Sequence, residues 1–171
     1  LPTPVQHLVL NDIGPVVSWP SILNMKTYVG EVGKFQSVQE AADAMWEISK
    51  SFGPHTADEW LALSQHMVKR LDDGTFTLHY DPALRVPIRA VTQEQAQAGE
   101  ALLWQVYDAI QCKTLLIHGA ESELLSLSAV QEMQQRGPRV QVATVQGVGH
   151  APTLTHADQI DIVQQFLGLR A

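Results

Sequence analysis

Two short runs of almost unbroken apolar sequence constrain this chain most. They are Leu8-Val9-Leu10, within residues 7–12, and Leu115-Leu116-Ile117, within residues 113–118. A strand so apolar on consecutive positions is covered on both of its faces, as in a parallel sheet packed between helices. A third run, Val140-Gln141-Val142-Ala143-Thr144-Val145, alternates with period two and reads as a strand nearer the sheet edge. Each run ends in loop-forming residues: Gly14-Pro15, Gly119, and Gly147 with Gly149.

Helical patterns fill the intervals. Val38, Ala41, Ala42, Met45, Ile48 and Phe52 recur at helical spacing, and Gly53-Pro54 stops the pattern. Thr56-Ala57-Asp58-Glu59 reads as a capping box opening a helix through Trp60, Leu61, Leu63, Met67, Val68 and Leu71 to Asp73-Gly74. Thr92-Gln93-Glu94-Gln95 is a second such box, opening a helix to about Ile110. Ser128 with Gln131 is the expected cap of a helix ending at Gly137-Pro138, and a last helix is expected over 157–167.

Strands alternating with helices predict an α/β fold with a parallel sheet and right-handed crossovers. The stretch 14–109 far exceeds an ordinary connection between adjacent strands. It is expected to be a helical cap inserted over the C-terminal edge of the sheet, with residues 1–13 and 110–171 forming the core.

Composition narrows the function classes. A net charge of −7, with 11 Lys plus Arg, argues against nucleic acid, which needs a basic surface. No apolar stretch approaches the ~20 residues of a membrane span. Cys112 is the sole cysteine, so no intrachain disulfide can form; a small buried hydrophobe in a reducing, cytoplasmic setting is expected. His55, His66, His79 and His156 lack the paired spacing of a metal site, and no metal or cofactor is expected.

The chemistry-bearing stretch is Gly147-Val148-Gly149-His150-Ala151-Pro152, between the last strand and the last helix. Flanking glycines allow a tight turn from which an imidazole projects over the strand ends as a general base. Its order and spacing with Leu8 to Pro15 and with Leu115-Leu116-Ile117-His118-Gly119-Ala120-Glu121-Ser122-Glu123 resemble the C-terminal part of an α/β-hydrolase. The three segments are similar to that family's sixth strand, seventh strand with acid loop, and histidine loop. The expected architecture is thus the last three strands of the hydrolase sheet with an inserted helical cap.

The resemblance implies a triad running nucleophile, acid, histidine along the chain, with His150 as base. The family's usual acid register, counted from Gly119, falls on Ser122, which has no carboxyl. Glu123 beside it is the favoured acid, and Asp12, at the end of the first strand, is the alternative. His118 ends a strand close by and reads as structural. Apolar cap residues, Trp19 and Trp46 among them, are candidates to line the pocket of a small apolar substrate.

The nucleophile is where the sequence departs from the family. No serine sits in a Gly-x-Ser-x-Gly elbow, and the oxyanion loop has no counterpart. The chain begins at Leu1 rather than Met, and Leu1 is expected to lie just after the elbow helix. The resemblance implies an esterase, lactonase or C–C bond hydrolase completed from outside these residues. An aspartate nucleophile would make it an epoxide hydrolase or dehalogenase, and a non-catalytic fragment is a third reading. A chain lacking half its sheet is expected to join that half or associate with itself.

Overall fold

The structure is a computed structural model and describes residues 4–169. In chain order the elements are β1 (His7–Asn11), α1 (Trp19–Tyr28), α2 (Val38–Ser49), α3 (Ala57–Ser64), β2 (Val68–Arg70), β3 (Phe76–Leu78), α4 (Arg85–Ala90), α5 (Gln93–Asp108), β4 (Lys113–Gly119), α6 (Leu127–Gln135), β5 (Gln141–Val145) and α7 (Ala157–Phe166). They fall into two compact units, Leu1–Ser21 with Thr92–Ala171, and Ile22–Val91.

The first unit is built on a parallel sheet in the order β1-β4-β5. The apolar runs explain the order. β4, the most continuously apolar of the three, is central and buried along nearly its whole length. The alternating β5 lies at an edge, with Gln141 and Thr144 exposed. Successive β4 side chains serve opposite faces. Leu116 packs with Trp104 and Tyr107 of α5 and with Ala129, Val130 and Met133 of α6. Leu115 and Ile117 pack with Val145, Val148 and the α7 residues Ile162, Val163 and Phe166. The result is helices on both faces of a parallel sheet. The α5 residues Trp104 and Tyr107 belong to this core, although α5 lies within the 14–109 stretch expected to be the insertion.

The second unit centres on Ala42, Met45 and Trp60, surrounded by Trp46, Phe52, Leu61, Leu63, Met67, Val68 and Leu78. Thr56 and Glu59 form the capping box at the start of α3. The helix expected to continue to Asp73 ends instead at Ser64. Val68–Arg70 pairs antiparallel with Phe76–Leu78. The reason is local: the Leu71 amide donates to the Thr75 carbonyl, Asp73 accepts from the Thr75 amide, and Gly74 takes a left-handed φ of 85°. Those interactions close a hairpin that a helix could not accommodate. A second correction concerns α6, which is capped by Ser126 through the Ala129 amide, not by Ser128.

Candidate active site

The C-terminal ends of the three parallel strands carry the candidate chemistry, and all of it lies within the first unit. β1 ends one residue before Asp12, which adopts a left-handed φ of 52°. Aspartate tolerates that region better than most residues. The turn leaves the Asp12 side chain with no solvent exposure. A carboxylate so buried is costly unless donors surround it. Here the Gly119 amide donates to Oδ1 at 2.9 Å and the Ser122 hydroxyl donates to Oδ2 at 2.5 Å.

The third donor is His150. Its Nδ1 lies 3.0 Å from Asp12 Oδ2 and 3.0 Å from the Asp12 carbonyl oxygen. A carbonyl can only accept, so Nδ1 carries the proton and the neutral ring keeps Nε2 as its basic nitrogen. The His150 side chain is 40% exposed, whereas its partner is fully enclosed. An imidazole in this arrangement can accept a proton at Nε2, and the buried carboxylate then faces the imidazolium directly.

Three contacts set the position of the histidine loop. Asn11 Nδ2 donates to the Pro152 carbonyl at 2.9 Å. The amides of Ala120 and Glu121 donate to the carbonyls of Val145 and Val148, each at 2.9 Å. Gly119 lies so close to this loop that a Cβ there would meet the carbonyl oxygens of Gly149 and Val148. A side chain at residue 119 is therefore excluded by backbone, which is why this strand ends in glycine.

The structure brings together His150 and Asp12, the alternative acid, and not His150 and Glu123, the carboxylate favoured beside the Ser122 register position. After Gly119 the chain turns, with the Ser122 amide donating to the Gly119 carbonyl. That turn aims Ser122 inward at Asp12 and leaves Glu123 exposed. Glu123 participates through its backbone carbonyl, which accepts from the hydroxyls of Ser18 and Ser21. His118 is 2% exposed, and its Nε2 donates to the Leu125 carbonyl at 3.1 Å. Trp46 stacks edge-on against Trp60, with ring centroids 5.0 Å apart, in the core of the second unit. Trp19 is half-buried at the start of α1.

Ser122, which the sequence offers neither as a nucleophile nor as an acid, is a hydrogen-bond donor to the acid, and its place in the acid register is the signal that points to it. Among the described residues, no group of His, Cys, Asp and Glu side chains could hold a metal ion, and no helix is long and apolar enough to cross a membrane.

The parallel order β1-β4-β5, helices on both sheet faces and a histidine loop after the last strand are the C-terminal portion of an α/β-hydrolase fold. The chain is 40% identical over 167 residues to a 3-hydroxybutyrate-oligomer hydrolase of Cupriavidus necator, a match covering 96% of this chain and 57% of that protein. An α/β hydrolase from Novosphingobium aromaticivorans aligns with a TM-score of 0.80 at 27% identity, covering 96% of this chain and 57% of its own. The E-2-(acetamidomethylene)succinate hydrolase aligns with a TM-score of 0.72 at 17% identity, covering 96% and 58%. The chain thus spans little more than half the length of each of these three proteins. No family model matches it.

Proposed function

We propose that this chain supplies the base and the acid of a serine hydrolase that cleaves ester bonds in short hydroxyacid oligomers. The observation that carries the reading is the His150–Asp12 pair, with the Nδ1 proton directed at a fully buried carboxylate. The substrate class follows from the Cupriavidus necator relative, whose 3-hydroxybutyrate oligomers are joined by esters.

The nucleophile in this reading is a serine from a polypeptide segment outside the 171 residues. His150 Nε2 takes the serine proton as the oxygen attacks the ester carbonyl. Asp12 stabilises the imidazolium. The same proton then passes to the departing alkoxide, releasing the alcohol and leaving an acyl-enzyme. Water, deprotonated by His150 in the second half, releases the hydroxyacid and restores the serine. No cofactor is required by this chemistry.

The test is turnover of the 3-hydroxybutyrate dimer by the polypeptide that includes the nucleophile, with and without His150→Ala. Loss of the base in such a triad lowers kcat by about 10⁶-fold. Turnover that survives the substitution would overturn the reading. An aspartate at the elbow would redirect it to epoxide or haloalkane hydrolysis, and the residue at that position distinguishes the two.

A further inference from the structure

Ser122 has both of its hydrogen-bonding directions committed. Its Oγ accepts the Leu125 amide at 3.1 Å, which fixes the hydroxyl in place. Its proton then has one short acceptor, Asp12 Oδ2 at 2.5 Å. The same Oδ2 atom receives His150 Nδ1–H. Behind Ser122, the Leu125 carbonyl accepts from the buried His118 Nε2 at 3.1 Å. Ser122, Asp12 and His150 therefore form one continuous chain of hydrogen bonds, and Leu125 is anchored through its amide to Ser122 and through its carbonyl to the buried His118.

We propose that Ser122 is a positioning residue of the active site, holding the Asp12 carboxylate so that Oδ2 faces the His150 Nδ1 proton. This rests on the reading of His150 as base and Asp12 as acid. A carboxylate rotates about its Cβ–Cγ bond unless each oxygen has its own donor. The Gly119 amide holds Oδ1, and Ser122 holds Oδ2. With Ser122 absent, Oδ2 keeps only the half-exposed His150 Nδ1–H as donor, so the carboxylate is held less firmly in line with the imidazole and the imidazolium loses part of its stabilisation in the transition state. Ser122 thus sits in the loop register of an acid without being one, and serves the acid on the neighbouring strand. The effect belongs to kcat, because the hydroxyl touches the acid and not the substrate.

The experiment compares Ser122→Ala, Ser122→Thr and Ser122→Cys with the parent in the polypeptide that supplies the nucleophile, using the 3-hydroxybutyrate dimer. Losing a hydrogen bond to a charged group is expected to lower kcat about tenfold in Ser122→Ala, with KM changed less than about twofold. Ser122→Thr keeps the hydroxyl and is expected to recover most of the activity. Ser122→Cys, a weak donor of similar shape, is expected to behave like Ser122→Ala. The low-field proton resonance of His150 Nδ1–H should be present in the parent and in Ser122→Thr, and lost or shifted upfield in Ser122→Ala. Unchanged kcat in Ser122→Ala, equal losses in Ser122→Ala and Ser122→Thr, or an effect confined to KM would each overturn the proposal. If Ser122→Ala fails to fold, the Thr and Cys variants decide the matter by the same comparison. His150→Ala measured alongside separates the two levels. An inactive His150→Ala with a fully active Ser122→Ala removes only the role of Ser122, whereas an active His150→Ala removes both.

Discussion

The His150 imidazole, 40% exposed, donates from Nδ1 to the fully buried Oδ2 of Asp12, 138 residues earlier in the chain. The relationship is held from both ends. β1 delivers Asp12 through its register with β4, in which Asn11 lies opposite Ile117. β5 delivers the histidine loop through its own register with β4, in which Val145 lies opposite Gly119. Anything that disturbs the junction of these strands should be felt at the imidazole.

Gly119 is that junction. Its amide holds Asp12 Oδ1, and its missing side chain leaves room for the carbonyls of Gly149 and Val148. Gly119→Ala forces the histidine loop away from β4. The expected cost is about 1–3 kcal/mol of stability, typical of overpacking against backbone. Turnover should fall further than stability alone accounts for. Differential scanning calorimetry and dimer hydrolysis on the same preparation check this, and an Ala variant with normal Tm and kcat would contradict it.

Tyr107 gives a pH prediction away from the site. Its hydroxyl donates to the Met133 carbonyl at 2.7 Å, and burial pushes its phenol up from the ordinary 10.0 to about 12. Between those values the folded protein keeps a proton that the unfolded chain has released. Its contribution is therefore complete below about pH 10 and is lost as pH rises toward about 12. Tyr107→Phe should cost about 1 kcal/mol at neutral pH, the net worth of one hydrogen bond. It should also flatten the fall in stability above pH 10. Urea unfolding at several alkaline pH values would show parallel curves for the two proteins if the account of Tyr107 is wrong.

β1 is hydrogen-bonded on one side, to β4, among the described residues, and α5 presents Leu102, Leu103 and Val106 at 61%, 48% and 59% exposure. An apolar strand edge without a second neighbour and exposed apolar helix side chains are each a template for association. The 171-residue chain made by itself is expected to sediment as dimers or larger species, or to precipitate. A monodisperse monomer with a cooperative melt would contradict this.

The sheet was legible in the sequence because a strand buried on two faces must be apolar at every position, as Leu115-Leu116-Ile117 is. The capping boxes at Thr56 and Thr92 were legible because their reciprocal bonds span three residues. The β2–β3 hairpin was not. Leu61, Leu63, Met67 and Val68 satisfy helical spacing, and the Asp73–Thr75 turn that overrides it weighs little in a periodicity. The acid was not legible for a different reason. Choosing between Glu123 and Asp12 depends on which side chain the turn after Gly119 directs inward, and on strand registers linking residues more than a hundred positions apart. Sequence spacing carries neither.

The proposed triad assigns the orientation of His150 to Asp12 and not to Glu123. The most direct measurement is dimer hydrolysis by Asp12→Asn and Glu123→Gln, each in the polypeptide that supplies the nucleophile. Asparagine tolerates the left-handed backbone of residue 12, so the fold should survive. With its Oδ1 accepting from Gly119, its Nδ2 would oppose the His150 Nδ1 proton and favour the wrong tautomer. Asp12→Asn is expected to lower kcat by about 10³- to 10⁴-fold, while Glu123→Gln is expected to stay within about twofold of the parent. An active Asp12→Asn, or a Glu123→Gln that loses activity to that extent, would overturn the assignment of Asp12.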